Sequence, residues 1–219
     1  MEVGMITIDI ETSPTIDENI IRELTEGIRP PANYKNPESI KQWMDGVGQE
    51  KARKAVYKTA LDGLRGSIRC IGVALDDEEP LVLMEDSEND TLRAFFDFMI
   101  DDYLENNVHS LVIGHNLIGF DLPFIRHRAI VTEVGMPRLF KHYYSRFSED
   151  VYDTMYEWAG WNGRVSLNNL AYGLLGRSKL GFGGEVHEMS DEQVVEYCAE
   201  DVRLTRDVYY KMTFTGETK

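Results

Sequence analysis

Near the start of the chain Ile6, Ile8 and Ile10 alternate with Thr7, Asp9 and Glu11, and no other stretch constrains the fold as much. Side chains two apart in an extended strand share a face, so the isoleucines fall on one side and Asp9 and Glu11 project together. An apolar stripe of this kind must be covered, which makes residues 3–10 a buried strand. Ser13-Pro14 ends it, because the residue before a proline is pushed away from helix and Pro14 cannot donate to a ladder. The strand thus delivers two carboxylates to the end of a sheet, where ligands of open α/β sheets gather.

The remaining segments supply the rest of that sheet and its cover. Thr15-Ile16-Asp17-Glu18 reads as a capping box opening a helix over about 16–26, stopped by Gly27 and Pro30-Pro31. Residues 37–62 are polar and helical in pattern, with a break near Gly46 and Gly48. Ser67–Leu75 and Leu81–Met84 flank a turn at 76–80 as an antiparallel hairpin. Leu92, Phe95, Phe96, Met99 and Tyr103 stand at helical spacing within 89–106. Ser110–Gly114 is a short strand, followed by a helix from about Phe120 to Val134. The aromatic stretch 140–147, with Lys141 and Arg146, reads either as core packing or as a stacking surface for single-stranded bases. Val151–Met155 is a last edge strand running into a helix that ends near Trp158. Ser166 caps a helix to Leu175, and Ser190 caps a final one to about Met212. Gly176–Gly184, with four glycines, reads as a hinge. The expectation is an α/β fold: a mixed central sheet of about five strands, the second antiparallel, flanked by helices. Residues 15–65 form a helical, locally basic insertion between strands 1 and 2.

A chain of 219 residues is long enough for one α/β core and does not require two domains, so a single domain over 1–219 is expected. No apolar run approaches the roughly 20 residues of a membrane span, and the N-terminus does not read as a secretory signal. Cys70 and Cys198 are the only cysteines, too few for a disulfide framework or a zinc site. The expected location is cytoplasmic, with no membrane partner. The net charge of −15 argues against tight, sequence-specific duplex binding, which relies on Lys and Arg. The charge is uneven, however. Residues 35–69 carry eight basic against four acidic side chains, a local +4 that leaves −19 elsewhere. Lys51, Arg53, Lys54 and Lys58 lie there, either as the solvated face of an amphipathic helix or as a lid guiding a nucleic-acid strand.

Two later segments add to the acids of the first strand. Asp121 closes GHNLIGFD, and Tyr197 and Asp201 lie four apart in EYCAEDVRLT, a spacing that puts them on one helix face. Oxygen-rich clusters hold Mg²⁺ or Mn²⁺, and two such ions about 4 Å apart support in-line displacement at phosphorus. The chemistry these residues suit is that of a metal-dependent nuclease.

Taken in order, the three segments closely resemble the DEDD 3′–5′ exonucleases, a superfamily with a ribonuclease-H-like fold. Asp9-Ile10-Glu11 matches the form D-x-E, Asn116 through Phe120-Asp121 matches N-x-x-x-F-D, and Tyr197 through Asp201 matches Y-x-x-x-D of the tyrosine branch. The histidine branch would need His where this chain has Glu196. Among relatives the chain looks most like stand-alone phage or bacterial enzymes akin to the proofreading domain of family B DNA polymerases. The resemblance implies two Mg²⁺ or Mn²⁺ ions held by Asp9, Glu11, Asp121 and Asp201, with Asp9 shared between them and Tyr197 orienting the attacking water. It implies substrate contacts at Thr12, Asn116 and Phe120, and a supporting position for Asp153. The implied substrate is a nucleic acid, foremost single-stranded or frayed DNA 3′ ends, shortened with release of nucleoside 5′-monophosphates; replication or recombination proteins are the further partners. An exoribonuclease, or a non-catalytic module binding a polymerase or replication partner, are the alternatives. His115 reads as a satisfied core histidine or, less simply, a site group.

Overall fold

The computed structural model describes residues 4–106, 109–144, 148–179 and 183–215. In chain order its regular elements begin with β1 (Met5–Ser13), α1 (Glu18–Glu26), α2 (Pro37–Trp43), α3 (Gln49–Tyr57), β2 (Ser67–Leu75) and β3 (Leu81–Leu83). They continue with α4 (Glu88–Asn106), β4 (Leu111–Gly114), α5 (Asp121–Val131), β5 (Val151–Asp153), α6 (Thr154–Ala159), α7 (Leu167–Leu175) and α8 (Asp191–Thr213). These divide into two compact units, Met1–Glu11 with Ile68–Lys219, and Thr12–Ser67.

The first unit is built on one five-stranded sheet in the order β3-β2-β1-β4-β5. β1 and β4 are parallel, with Met5 opposite Leu111 and Thr7 opposite Ile113, and β4 and β5 are parallel too. β2 and β3 form the expected antiparallel hairpin, Ile71 opposite Leu83. Asp76, just past β2, donates its N–H to the Met5 carbonyl and accepts the Met5 N–H on its own carboxylate, each at 2.9 Å. The end of β2 therefore lies beside the start of β1, and the second strand runs against the first. This is the ribonuclease-H-like arrangement the sequence leads one to expect.

The alternation in β1 decides what each face of the sheet meets. Ile6, Ile8 and Ile10 bury themselves with Leu92, Phe95, Phe96 and Met99 of α4 and Leu122 and Ile125 of α5. Phe140 and Tyr143 are fully buried in the same cluster, Phe140 set edge-on against Phe95 and Phe96. Core packing is thus the role of these two rings, each contributing roughly 1.5–3 kcal/mol by burial; Arg146 and Phe147 lie outside the described residues. Another cluster joins Cys70 of β2 to Val194, Tyr197 and Cys198 of α8. A Cβ on Gly72 would stand 2.7 Å from Cys198 Sγ and 2.8 Å from Val202 Cγ2, so glycine is what lets α8 approach β2 this closely. α8 starts at a full capping box, Ser190 Oγ accepting from the Gln193 N–H and Gln193 Oε1 accepting from the Ser190 N–H. Leu167, Leu170 and Ala171 of α7 pack on Leu204 and Val208 of α8.

The second unit is helical, as its pattern suggests. The cap of α1 is Asp17, whose carboxylate accepts from the Asn19 and Ile20 N–H groups, while Thr15 Oγ1 accepts from Asp17 itself. The anionic oxygen is the stronger acceptor and takes the helix start from Thr15. Between α2 and α3 the helix does not break at its glycines. It widens into a π turn at Met44–Gly48, next to the buried Trp43, which Tyr34 meets edge-on. The two ends of the unit close on each other. The Thr15 N–H donates to Thr59 Oγ1 at 2.8 Å, and a Cβ on Gly66 would lie 2.4 Å from the Thr59 carbonyl and 3.0 Å from that of Ser13. Among the described residues, no helix is long and apolar enough to cross a membrane.

Candidate active site

Because the isoleucines of β1 point into the core, Asp9 and Glu11 point the other way, toward α8. The Cys198 thiol donates a weak hydrogen bond to the Asp9 carbonyl at 3.9 Å, so α8 lies over this part of β1. One turn of α8 separates Tyr197 from Asp201, and both side chains reach the same acids. Ligand oxygens of Asp9, Glu11 and Asp201 lie within 4.8 Å of one another. Asp121, at the first turn of α5, stands beside this group rather than in it. Its Oδ1 accepts the Ile10 N–H at 3.2 Å, between the two acids of β1. All five residues line one cleft of about 1050 Å³, together with Asn116, Phe120, His115 and Lys179.

The electrostatics follow from placing like charges out of water. Burial, aided by the charge of Asp201, pushes the Asp9 carboxyl up to about 8. Burial and then the charges of Asp9 and Asp201 push Glu11 to about 10. Asp121 is raised by burial and by Asp9, and Asp201 by burial, against the pull of Lys179. Three buried atoms of this group, Asp9 Oδ2, Asp201 Oδ1 and the Tyr197 hydroxyl, have no hydrogen-bond partner among the described residues. Such atoms are costly to leave unpaired. Hard carboxylate oxygens, crowded and unsatisfied, are the donor set that Mg²⁺ or Mn²⁺ takes, so the residues present fit a divalent cation. Burial and the neighbouring Asp201 charge hold the Tyr197 phenol protonated, pushed up to about 12.

Lys179 is the site residue that sequence reading missed. Its ammonium meets Asp201 Oδ2 at 2.5 Å and sits 5.0 Å above the Tyr197 ring. It reaches there from the segment after α7, anchored by its own N–H to Asn168 Oδ1 at 3.0 Å. Nothing in spacing or periodicity links a lysine in a glycine-rich stretch to an acid 22 positions later. The hinge reading of Gly176–Gly184 extends over residues 180–182, which lie outside the described residues.

The wall opposite is organised by Asp153, the last residue of β5. Its carboxylate accepts the N–H groups of Asn116 and Ile118, each at 2.9 Å, and caps α6 through Met155 and Tyr156. Asn116 is thereby held at φ 61°, a left-handed conformation that Asn tolerates better than most residues. Phe120 lines the cleft and packs on Phe124, ring centres 5.3 Å apart. His115 is satisfied on both ring nitrogens. Nε2–H donates to the Val165 carbonyl and Nδ1 faces Thr154 Oγ1, each at 2.9 Å, and burial depresses its pKa to about 4, so it stays neutral. Glu196, in the slot of the histidine branch, is exposed and pairs with Arg203 at 3.6 Å.

The other expected contacts belong to the second unit. Thr12 is half-buried in β1. On α3, Glu50 pairs with Arg53 at 2.9 Å and with Lys54 at 3.2 Å, and Lys51 lies 5.3 Å over the Trp43 ring. Lys58 is exposed. Three of the four basic residues therefore have local partners within the insertion, as a solvated helix face does.

A five-stranded α/β sheet thus carries, toward the end of its first strand, a carboxylate cluster whose oxygens suit a divalent cation. The chain belongs to the family of predicted 3′–5′ exonucleases related to the exonuclease domain of PolB, whose model matches residues 72–218. Family membership therefore places the chain among predicted 3′–5′ exonucleases, consistent with the DEDD superfamily. The first motif, Asp9 and Glu11, precedes the matched region, and folding brings it to the others. Among solved structures the chain resembles the family B DNA polymerase of the hyperthermophilic archaeon Pyrobaculum calidifontis, with 17% identity and a TM-score of 0.59. That match covers 98% of this chain and 25% of the polymerase, so the likeness concerns the fold of one part of it. No curated protein sequence matches.

Proposed function

We propose that this protein is a divalent-metal-dependent 3′–5′ exonuclease of the tyrosine branch, a single exonuclease domain interrupted by the 12–67 unit. It hydrolyses phosphodiester bonds at DNA 3′ ends and releases nucleoside 5′-monophosphates. The observation that carries the reading is the group of Asp9, Glu11 and Asp201, with two buried oxygens unsatisfied and Asp121 alongside. Two Mg²⁺ or Mn²⁺ ions would supply a water of lowered pKa and charge stabilisation for the leaving 3′-oxygen. Asp9, Glu11 and Asp201 would hold one ion, and Asp121, next to Asp9, the other. Tyr197 keeps its proton at neutral pH, so it acts on the attacking water by orienting it and not as a base. Asn116 and Phe120 line the same cleft and would receive the terminal nucleotide.

The test is digestion of 5′-labelled single strands of DNA and RNA with Mg²⁺ or Mn²⁺. Progressive shortening of DNA from the 3′ end with release of 5′-monophosphates is expected. Asp201→Ala should lower kcat by about 10³-fold, roughly 4 kcal/mol, whereas Tyr197→Phe should cost about 10–100-fold, as for a group acting through its neighbours. Digestion of RNA alone would replace the substrate by RNA. No digestion with either metal, or full activity in Asp201→Ala protein, would reject the reading.

A further inference from the structure

The carboxylate cluster accounts for the scissile phosphate but not for how the rest of a strand is held. A nucleic acid brings one negative charge per nucleotide toward a chain that is itself strongly acidic. Two described side chains with fixed positive charge line the cleft, Arg164 and Lys179. Lys179 is committed to Asp201, and His115 is neutral. Arg164 is exposed and forms no ion pair among the described residues, unlike Arg69, Arg128, Arg177 and Arg203 of the same unit, each held by a carboxylate.

Three residues earlier, Trp161 leaves 49% of its surface in water. Its ring lies on that of Tyr156, centroids 4.8 Å apart and planes 27° from parallel. The stack is rooted in the cleft wall. A Cβ placed on Gly119 would come within 2.5 Å of Asn116 Oδ1 and 2.6 Å of the Tyr156 hydroxyl, so these two groups converge on one point. The Asp153 carboxylate fixes the Tyr156 and Asn116 backbones together. The turn carrying Trp161 is closed by the Gly160 N–H on the Tyr156 carbonyl and the Gly163 N–H on the Gly160 carbonyl. An exposed ring held this firmly is suited to stacking, since little order remains to be imposed on it.

We propose that the 160–165 connection between α6 and α7 holds single-stranded nucleic acid. Arg164 engages a phosphate on the 5′ side of the scissile bond, and the Trp161–Tyr156 stack receives an unpaired base. The inference rests on the exonuclease reading and adds to it the side chains that would hold a strand end whose bases are free to stack, which a closed duplex does not offer.

The experiment compares Trp161→Ala, Trp161→Phe and Arg164→Gln with the parent protein, each checked by circular dichroism. Binding of fluorescein-labelled oligothymidylate and of a blunt duplex is read by anisotropy in EDTA over a salt series, and KM and kcat are measured with Mg²⁺. Trp161→Ala should weaken single-strand binding between about 5- and 150-fold, the value of one base–aromatic stack. KM should rise in step and kcat move little, with Trp161→Phe recovering most of the loss. Arg164→Gln should reduce the slope of log Kd against log salt by about 0.7, one phosphate contact on a single strand. Parental affinity and salt slope in both variants would overturn the proposal, as would equal losses on single strand and duplex. Because binding is measured without turnover, a parent protein that binds strands through these residues yet cleaves none would reject the exonuclease reading alone.

Discussion

Each acid of the cluster is held above its ordinary pKa by its surroundings, and that has a thermodynamic consequence for the protein without metal. A carboxyl whose folded pKa exceeds its unfolded one binds its proton more tightly when folded. Its contribution is complete below the unfolded value and is lost as pH rises through the folded one. For Asp9 the window runs from 3.8 to about 8, and Glu11 extends it toward 10. In EDTA, the melting temperature should therefore fall steadily from about pH 5 to pH 9, by about 2–4 °C per kcal/mol lost. Mg²⁺ should raise it more at the alkaline end, because binding displaces those protons. Asp9→Asn should flatten the curve. A metal-free melting temperature that climbs across the window would contradict the raised pKa values. At this scale the motif acids and Tyr197 were legible because their spacing within a strand or helix aims them. Lys179 and the hydrogen bonds from the Asn116 and Ile118 amides to Asp153 were not, since they join residues whose separation obeys no period.

At the scale of elements, the site is as precise as the seating of α8 on the sheet. Gly72 sets that seating, and an alanine there would press on the side chains of Cys198 and Val202, both fully buried. Gly72→Ala should destabilise the fold by about 1–3 kcal/mol, the usual cost of overpacking. It should also lower kcat more than KM, because α8 carries Tyr197 and Asp201. Denaturant unfolding with steady-state kinetics checks this, and an unchanged kcat in a destabilised protein would separate helix seating from catalysis. Element boundaries were readable where punctuation is chemical: Ser13-Pro14 after β1, and Ser166 and Ser190 before α7 and α8. Thr15 misled because a stronger acceptor stands two residues on. The π turn at Met44–Gly48 was read as a break because two glycines look alike in either setting, and only the tertiary placement of Trp43 tells them apart.

At the scale of the whole molecule, the two compact units differ in how much they bury. The sheet unit encloses a continuous cluster of isoleucine, leucine and phenylalanine side chains, whereas Trp43 is the one large apolar residue buried among the described residues of 12–67. Local opening free energy follows buried apolar contact. Amide hydrogens of α1–α3 should exchange well before those of β1, β4 and α8, as native-state hydrogen exchange followed by mass spectrometry will report. Equal protection across both units would show that they open together. The uneven charge of the chain was visible from composition alone, but that its basic stretch makes a unit with its own partners needed coordinates.

The neck of that unit, where Thr15 meets Thr59 and Gly66 abuts Ser13, bears on how such a chain can change over generations. Two ends already clasped can be rejoined by a short turn, and lengthening what lies between them adds little closure entropy. An excursion clasped at its ends in this way should be open to trimming or enlargement at little entropic cost to the strands on either side.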